Sequence, residues 1–397
     1  MRILMVTNSY GPALGGVEVS IALFVRELRA AGHDVYVAAP ARDGYVDTGP
    51  FVFRLPSITI PGDTIDGAVA VRAKPMLDML VRGIRPHVIH SHHPFLLGDT
   101  AADLAGATGI PLVYTFHTRY AEYAQEHFPR LAELTEGLIT DALRRYMARC
   151  DLVVAPSPGI AELLQRDYPT STPVVVIPTP VDPAIFEGAP PAADLGLPAG
   201  AEIVLYAGRL VVEKNLDLLV RAFARVAMAR PHAVLVMAGT GPAHEHLEDL
   251  ASFLRIAARI RFLGRIPHRE VPALMTAARV FAFASTTETQ GLVLLEAMAA
   301  GTPVVAVEAS GTRDVLAEGG GLLVSDDARA LGDGIVALLE DDALRSRLSE
   351  QGREASRRFA PQQAVNSLVA AYEAAAGRRG SAQAGVDDGP RDTVPSS

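Results

Sequence analysis

VFAFAS (280–285), ETQGLVLLE (288–296) and AMAAGTPVVAV (297–307) follow one another with only Thr286 and Thr287 intervening. VFAFAS and PVVAV are short continuous apolar runs of the kind buried on both faces of a parallel sheet. The segment between them predicts a helix that begins at Gly291. Over such a helix the E-x7-E spacing of Glu288 and Glu296 is a little over two turns, which predicts both carboxylates on one face. Free backbone N–H groups at a helix N-terminus attract anions. Gln290, Gly291 and Leu292 therefore form an anion seat with a carboxylate at either end, an arrangement that suits a phosphate-bearing sugar. Taken alone, the same spacing also describes two solvated glutamates on an amphipathic helix.

The pattern extends in both directions. EIVLYAG (202–208), AVLVMAG (233–239), RIRFLG (259–264) and GLLV (321–324) are further strand-like runs, with helical segments LDLLVRAFARVAMA (216–229) and ALMTAA (273–278) among them. The first half alternates in the same way. RILMVT (2–7), DVYVAAP (34–40), FVFRLPSI (51–58), HVIHSH (87–92), LVYTFH (112–117) and DLVVAPS (151–157) read as strands. VEVSIALFVRELRAAGH (17–33), closing on Gly32, reads as a helix, as does DGAVAVRAKPMLDMLVRGI (66–84) with a disturbance near Pro75. The proline- and glycine-rich EGAPPAADLGLPAG (187–200) separates the two series and predicts a linker. The fold class is α/β, two doubly wound domains facing across a cleft, with ligands expected beyond the carboxyl ends of the strands. QQAVNSLVAAYEAAA (362–376) predicts a final helix, and residues 377–397 have almost no large apolar side chains and predict a disordered tail.

A chain of 397 residues is too long for one ordinary core and fits two domains of similar size. With 49% hydrophobic and 20% charged residues it has the composition of a soluble globular protein. A net charge of −9 argues against a nucleic-acid partner, whose affinity would rest on neutralising phosphates. The single cysteine, Cys150, excludes an intrachain disulfide and a cysteine-based metal site. No uncharged apolar run reaches the length of a membrane span, and MRILMVTNSYGP does not read as a signal peptide, so a cytoplasmic location is expected.

The chemistry gathers after strands. Arg209 leaves EIVLYAG and is followed by Glu213, Lys214 and Asn215 in GRLVVEKN. Two cations between a strand end and a helix start suit a diphosphate clamp, although a solvated basic pair would have the same spacing. AGTGP (238–242) is a glycine-rich loop without the full dinucleotide fingerprint, and a tight turn is its expected role. Seven of the eleven histidines (33, 87, 90, 92, 93, 117 and 127) lie in the first half. His90, His92 and His93 lack the spacing and carboxylate of a metal site, and polar lining of the cleft is expected instead. His117 ends LVYTFH and is the better catalytic candidate, with a structural histidine as the alternative.

These residues together resemble the retaining glycosyltransferases of the GT-B fold called family 4. The resemblance runs over the whole folded chain. It rests on Gly15 and Gly16, HSHHPFLLG (90–98), TFHTRYAEY (115–123), GRLVVEKN, AGTGP, RFLGRIPH (261–268) and ETQGLVLLEAMAAGTPVVA (288–306), in this order. The resemblance implies that Glu288 contacts donor-sugar hydroxyls and Glu296 the ribose. It implies that Arg209 and Lys214 hold the diphosphate, aided by the Gly291–Leu292 amides, and that Gly15 and Gly16 let their loop approach it. His117 is then expected near the reacting sugar, and Arg265 and Ile266 near the base. Residues 1–185 become the acceptor domain, 186–200 the linker, 201–360 the nucleotide-sugar domain and 361–376 a helix returning toward the first domain. With the charge handled by side chains, no metal is required, and Mg²⁺ use stays open.

Two local features refine the resemblance. HTRYAEYAQEHFP (117–129), and Thr289–Gln290 where the family commonly has Gly-Phe, look like bacterial glycosyltransferases acting on diacylglycerol. The expected reaction moves a hexose from a nucleotide diphosphate, UDP-glucose first, to a lipid acceptor with retention. The alternatives are a GDP-mannose-dependent transfer to phosphatidylinositol or a polysaccharide glycan, and a sugar-nucleotide epimerase of the same fold. A peripheral position on the inner face of the cell membrane would use the helix with Arg72, Lys74, Arg82 and Arg85, or the segment with Tyr120, Tyr123, Phe128 and Arg130. One further departure is Thr179–Pro180 after VIP, where the family often has Asn-Gly.

Overall fold

The computed structural model describes residues 1–11, 15–42, 44–45, 47, 49, 51–60, 67–120, 132–186, 189 and 200–387. The first strands are β1 (Arg2–Val6), β2 (Asp34–Pro40) and β3 (Val52–Leu55), then β4 (Ser57–Ile60) and β5 (Gly67–Ala70). They are followed by β6 (Val88–Ser91), β7 (Leu112–Thr115), β8 (Leu152–Ala155) and β9 (Val174–Val176). All but β4 and β5 form a 7-stranded sheet in the order β3-β2-β1-β6-β7-β8-β9, parallel throughout. β4 and β5 make an antiparallel ribbon.

The second sheet contains β10 (Glu202–Ala207), β11 (Ala233–Ala238), β12 (Ile260–Gly264), β13 (Val280–Phe283), β14 (Val304–Val307) and β15 (Gly321–Val324). It is 6-stranded and parallel, in the order β12-β11-β10-β13-β14-β15. Every residue of β6, β7, β8, β13 and β14 is buried, which is why their sequences are continuous apolar runs rather than alternating ones.

The strand order reverses between β1 and β6 in one sheet and between β10 and β13 in the other. Loops leaving neighbouring strands at such a point diverge to opposite faces and open a crevice. The GG loop follows β1, His92 and His93 follow β6, Arg209 follows β10 and Glu288 follows β13. Chain topology alone thus brings four distant sequence motifs to two crevices.

Several expectations need correction. The stretch 66–84 is not one helix: Gly67–Ala70 is β5, and the helix is Ala73–Ile84. Pro75 lies in the first turn of that helix, where a missing N–H removes no intrahelical bond. Glu288 is not on a helix with Glu296. Gly291, at φ +76, is the N-cap of the helix Leu292–Ala300, so Glu288 belongs to the loop before it. Left-handed backbone at Gly291 turns the chain into the helix, and a shared helix face does not apply.

The domain crossing also differs from the expected 186–200, most of which lies outside the described residues. Val181 and Phe186 are already packed in the core of the second domain. Val181 N–H donates to Phe359 O at 2.9 Å, so the outgoing chain runs beside the point where it returns. The crossing is therefore at Thr179–Pro180, because the apolar side chains after it bury in the second domain. The last helix is Pro361–Asp387, longer than the expected helix to 376, and residues 377–387 are helical rather than tail. Its Ala364, Val365, Leu368, Ala371, Tyr372 and Ala375 pack with Ile3, Met5, Ile21 and Leu28 of the first domain. Arg379 continues this docking, donating to Ala105 O at 2.7 Å and pairing with Asp151. Residues 388–397 of the expected tail lie outside the described residues.

Candidate active site

Between the two domains lies a cavity of about 180 Å³. The first domain lines it with Gly16, Val17, His117, Thr118, Arg119, Pro156 and Thr179, and the second with Arg209, Glu213, Lys214 and 287–292. All of these follow strands or begin the helices next to them.

The cation loop is shaped by the loop beside it. A Cβ on Gly239 would sit 1.8 Å from Gly208 O, and one on Gly241 would sit 2.2 Å from Leu210 O. AGTGP is thus a tight turn laid against the GRL segment, with Leu210 N–H donating to Thr240 O at 2.9 Å. Tyr206 adds a hydroxyl that donates to Arg209 O at 2.8 Å. Arg209 is half exposed and bonds Glu213 at 3.2 Å. Lys214 makes an ion pair with Glu288, and both side chains are 19% exposed. The two cations point into the cavity, with a carboxylate beside each. A diphosphate there would meet two fixed positive charges and the N-terminus of Leu292–Ala300, which together stabilise a negative leaving group. That helix is held by Leu294, Leu295 and Met298, fully buried and each contributing about 1.5–3 kcal/mol.

The 286–290 segment is laid against the first domain at three places. Arg119 donates to Thr286 O at 3.1 Å, and Thr289 Oγ1 donates to His117 O at 3.2 Å. Gln290 Oε1 accepts from Thr179 N–H at 2.8 Å while its Nε2 donates to Thr179 O at 2.9 Å. The two departures noted in the sequence, Thr289–Gln290 and Thr179–Pro180, therefore meet in one contact.

His117 lies at the end of a row of imidazoles. His90 is bonded to Tyr372 Oη and to Thr115 Oγ1, each at 2.7 Å, and its ring lies 4.2 Å from that of His92. His92 Nδ1 is 2.9 Å from His117 Nε2. His93 Nδ1 bonds Thr7 Oγ1 and Asn8 N at 3.2 Å. Burial pushes His90 down to about 3 and His93 down to about 4. Burial, with the neighbouring imidazoles, holds His92 and His117 well below 6.5. The row is neutral near pH 7. His92 Nε2 is buried with no hydrogen-bond partner among the described residues. Placing the His92 proton on Nδ1 lets it donate to His117 Nε2 instead of leaving an N–H without an acceptor. His117 then carries its own proton on Nδ1. A neutral imidazole N–H is suited to a sugar hydroxyl and is not a phosphate cation.

Of the expected site residues, the cavity gathers Gly16, His117, Arg209, Lys214, Glu288, Gln290, Gly291 and Leu292. Gly15 caps the helix Gly16–Ala30 just outside, its N–H donating to Glu18 at 3.1 Å. Glu296 sits further along its helix, and Arg265 and Ile266 follow β12, two strands from β10; none of the three lines this cavity. Ile266 packs on the second core. Arg119, Thr179 and Thr287 line the cavity but were not expected there. Arg119 sits two positions beyond a strand-end histidine, a usable signal, and Thr179 was marked only as a departure after VIP, with nothing local to place it in the cavity.

Residues 14–185 match Glycosyltransferase Family 4, and residues 192–355 match Glycosyl transferases group 1. The chain is 31% identical over 317 residues to the alpha-monoglucosyldiacylglycerol synthase of Streptococcus pneumoniae, covering 77% of this chain and 71% of that one. It is also 31% identical over 390 residues to the phosphatidyl-myo-inositol mannosyltransferase of Mycobacterium tuberculosis, covering 95% and 98%. Among solved structures it resembles Anabaena Alr3699/HepE in complex with UDP-glucose, with a TM-score of 0.74, 20% identity and coverage of 94% and 99%. Two facing Rossmann-like domains, a cleft lined from both and relatives matched over nearly the full length lead to one assignment: the chain is a glycosyltransferase and belongs to the GT-B glycosyltransferases of family 4.

Proposed function

We propose that this glycosyltransferase moves a hexose from a nucleotide diphosphate, UDP-glucose in the first instance, to a membrane lipid such as diacylglycerol, with retention at the anomeric carbon. The observation that carries the reading is the meeting of Arg209, Lys214, Glu288 and the start of Leu292–Ala300 with His117 in one cleft. In the proposed step the bond from the sugar C1 to the β-phosphate oxygen breaks, and its electron pair stays on that oxygen. The acceptor hydroxyl oxygen bonds to C1 from the same face and passes its proton to the departing phosphate oxygen. Arg209 and Lys214 neutralise the leaving group, Glu288 orients the sugar hydroxyls, and His117 positions the sugar. The carboxylates are not a glycosidase pair, because Glu288 is engaged with Lys214 and Glu296 lies outside the cavity.

The lipid acceptor is supported by the names of the two relatives, and UDP-glucose by the complex of the structural neighbour together with the glucosyl product named for the streptococcal relative. Transfer of mannose to an inositol lipid is the second reading, favoured by the longer coverage of the mycobacterial relative. No helix among the described residues is long and apolar enough to cross a membrane. A lipid acceptor would then be met at a peripheral surface. The helix Ala73–Ile84 offers exposed Met79 with Lys74 and Arg82, which pair with Asp103 and Asp78. Tyr123, Phe128 and Arg130 of the other proposed surface lie outside the described residues. Because side chains handle the charge, transfer is expected to survive chelation of Mg²⁺. The deciding experiment incubates the protein with UDP-glucose, UDP-galactose or GDP-mannose, with and without diacylglycerol or phosphatidylinositol in vesicles, and identifies products by mass spectrometry. Glucosyldiacylglycerol supports the proposal. A mannosylated inositol lipid, or an altered nucleotide sugar with no acceptor, overturns it.

A further inference from the structure

Gln290 was expected to touch the donor, yet its carboxamide is turned to the interdomain crossing. The side chain is 5% exposed, accepts from Thr179 N–H and donates to Thr179 C=O. These two groups belong to different peptide planes, one on each side of the Thr179 Cα. Holding both fixes φ and ψ of the single residue between Pro178 and Pro180, whose own φ angles are set by their rings. Thr179 would otherwise be the rotatable link of this crossing. The other crossing lies alongside, where Val181 N–H meets Phe359 O. Thr179 is held from the first domain as well, its hydroxyl lying 2.8 Å from Ser20 Oγ in the helix that starts at the GG loop. One side chain of the second domain therefore locks the hinge backbone, and the hinge residue is pinned to the first domain.

We propose that Gln290 is a positioning residue that clasps the hinge at Thr179 and so sets the angle at which the two domains face. Gln290 precedes Gly291, the N-cap of the helix that presents the anion seat, so the clasp ties hinge geometry to the seat directly. The role goes beyond the transfer reaction proposed above and does not depend on the donor or acceptor being those named. Replacing the carboxamide frees both peptide planes and allows the domains to sample wider angles.

The test is an interdomain distance distribution from pulsed electron paramagnetic resonance, with spin labels on Met79→Cys and Phe253→Cys. Both positions are exposed, one in each domain, and the native Cys150 is buried. The otherwise unchanged labelled protein is expected to show one narrow population. Gln290→Leu is expected to enlarge a second, longer-distance population about tenfold, the consequence of losing two hydrogen bonds of ordinary net strength. Ser20→Ala, which leaves the clasp but removes its pin on the first domain, is expected to broaden the distribution to a smaller degree. Thermal unfolding followed in parallel shows that each variant is folded, and should Gln290→Leu fail to fold, Gln290→Met replaces it in the same measurement. An unchanged distance distribution in a folded Gln290 variant overturns the proposal, whatever happens to its activity.

Discussion

At the residue scale, the pairing of Lys214 with Glu288 joins the two side chains assigned most different tasks. Both are only 19% exposed, so neither is an ordinary surface charge. In the proposed reaction the lysine supplies a positive charge for the diphosphate, and its ion pair with Glu288 holds it at the cavity wall. Lys214→Ala is expected to lower kcat by about 10²-fold to 10³-fold, the range for loss of one preorganised group stabilising transition-state charge. Glu288→Gln keeps the shape of the side chain but removes its charge, and is expected to lower kcat by about tenfold or more and to reduce the unfolding free energy by about 1–3 kcal/mol, because a mostly buried Lys214 loses this counter-charge. Full activity of either purified, folded variant with its identified donor would remove the assigned role. Both residues were legible in the sequence because each follows a strand in a recognisable motif. Their ion pair was not, since 74 positions separate them along the chain.

At the scale of elements, the helix Leu292–Ala300 shows why small residues follow the ETQG segment. Ala297, Ala299 and Ala300 are buried beside Leu294, Leu295 and Met298, so the helix is enclosed rather than amphipathic. That is also why its sequence shows no polar face, and why Glu296 stands out in it. The AGTGP loop is the clearer case of steric necessity. Gly239 has φ +146, and any side chain there would meet the carbonyl of Gly208. Gly239→Ala is therefore expected to destabilise the protein by about 3 kcal/mol or more, in the tail of single-substitution effects, and to lower donor affinity by displacing Arg209. Equal denaturant midpoints for parent and variant would contradict this. The sequence alone marked AGTGP as a turn, but which backbone it leans on depends on β10 and β11 being neighbours in the sheet.

At the scale of the whole molecule, the buried imidazoles couple stability to pH. His90 and His93 are held at about 3 and about 4 in the folded protein, while unfolding returns them to ordinary values. Between those values and about 6.5 the unfolded chain binds more protons than the folded one. Stability is therefore complete above that window and falls on acidification, by about 1.4 kcal/mol per pH unit for each such histidine. Urea midpoints measured at about pH 7 and about pH 5 should differ accordingly, above the range where most carboxylates titrate. Midpoints that do not move would mean the imidazoles are charged or solvated. The last helix takes part in this coupling, because Tyr372 brings its hydroxyl to His90 across the first domain. By itself the sequence determined the two α/β halves, the strand ends and the chemistry placed on them, because apolar periodicity and strand-to-loop boundaries are local properties. Only the tertiary structure decided which of those strand ends meet. It moved the crossing to Thr179, placed Glu288 in a loop against Lys214, and turned the carboxamide of Gln290 from the donor to the hinge. These outcomes depend on two sheets packing against each other, and no window of sequence contains both sides of a contact made through space.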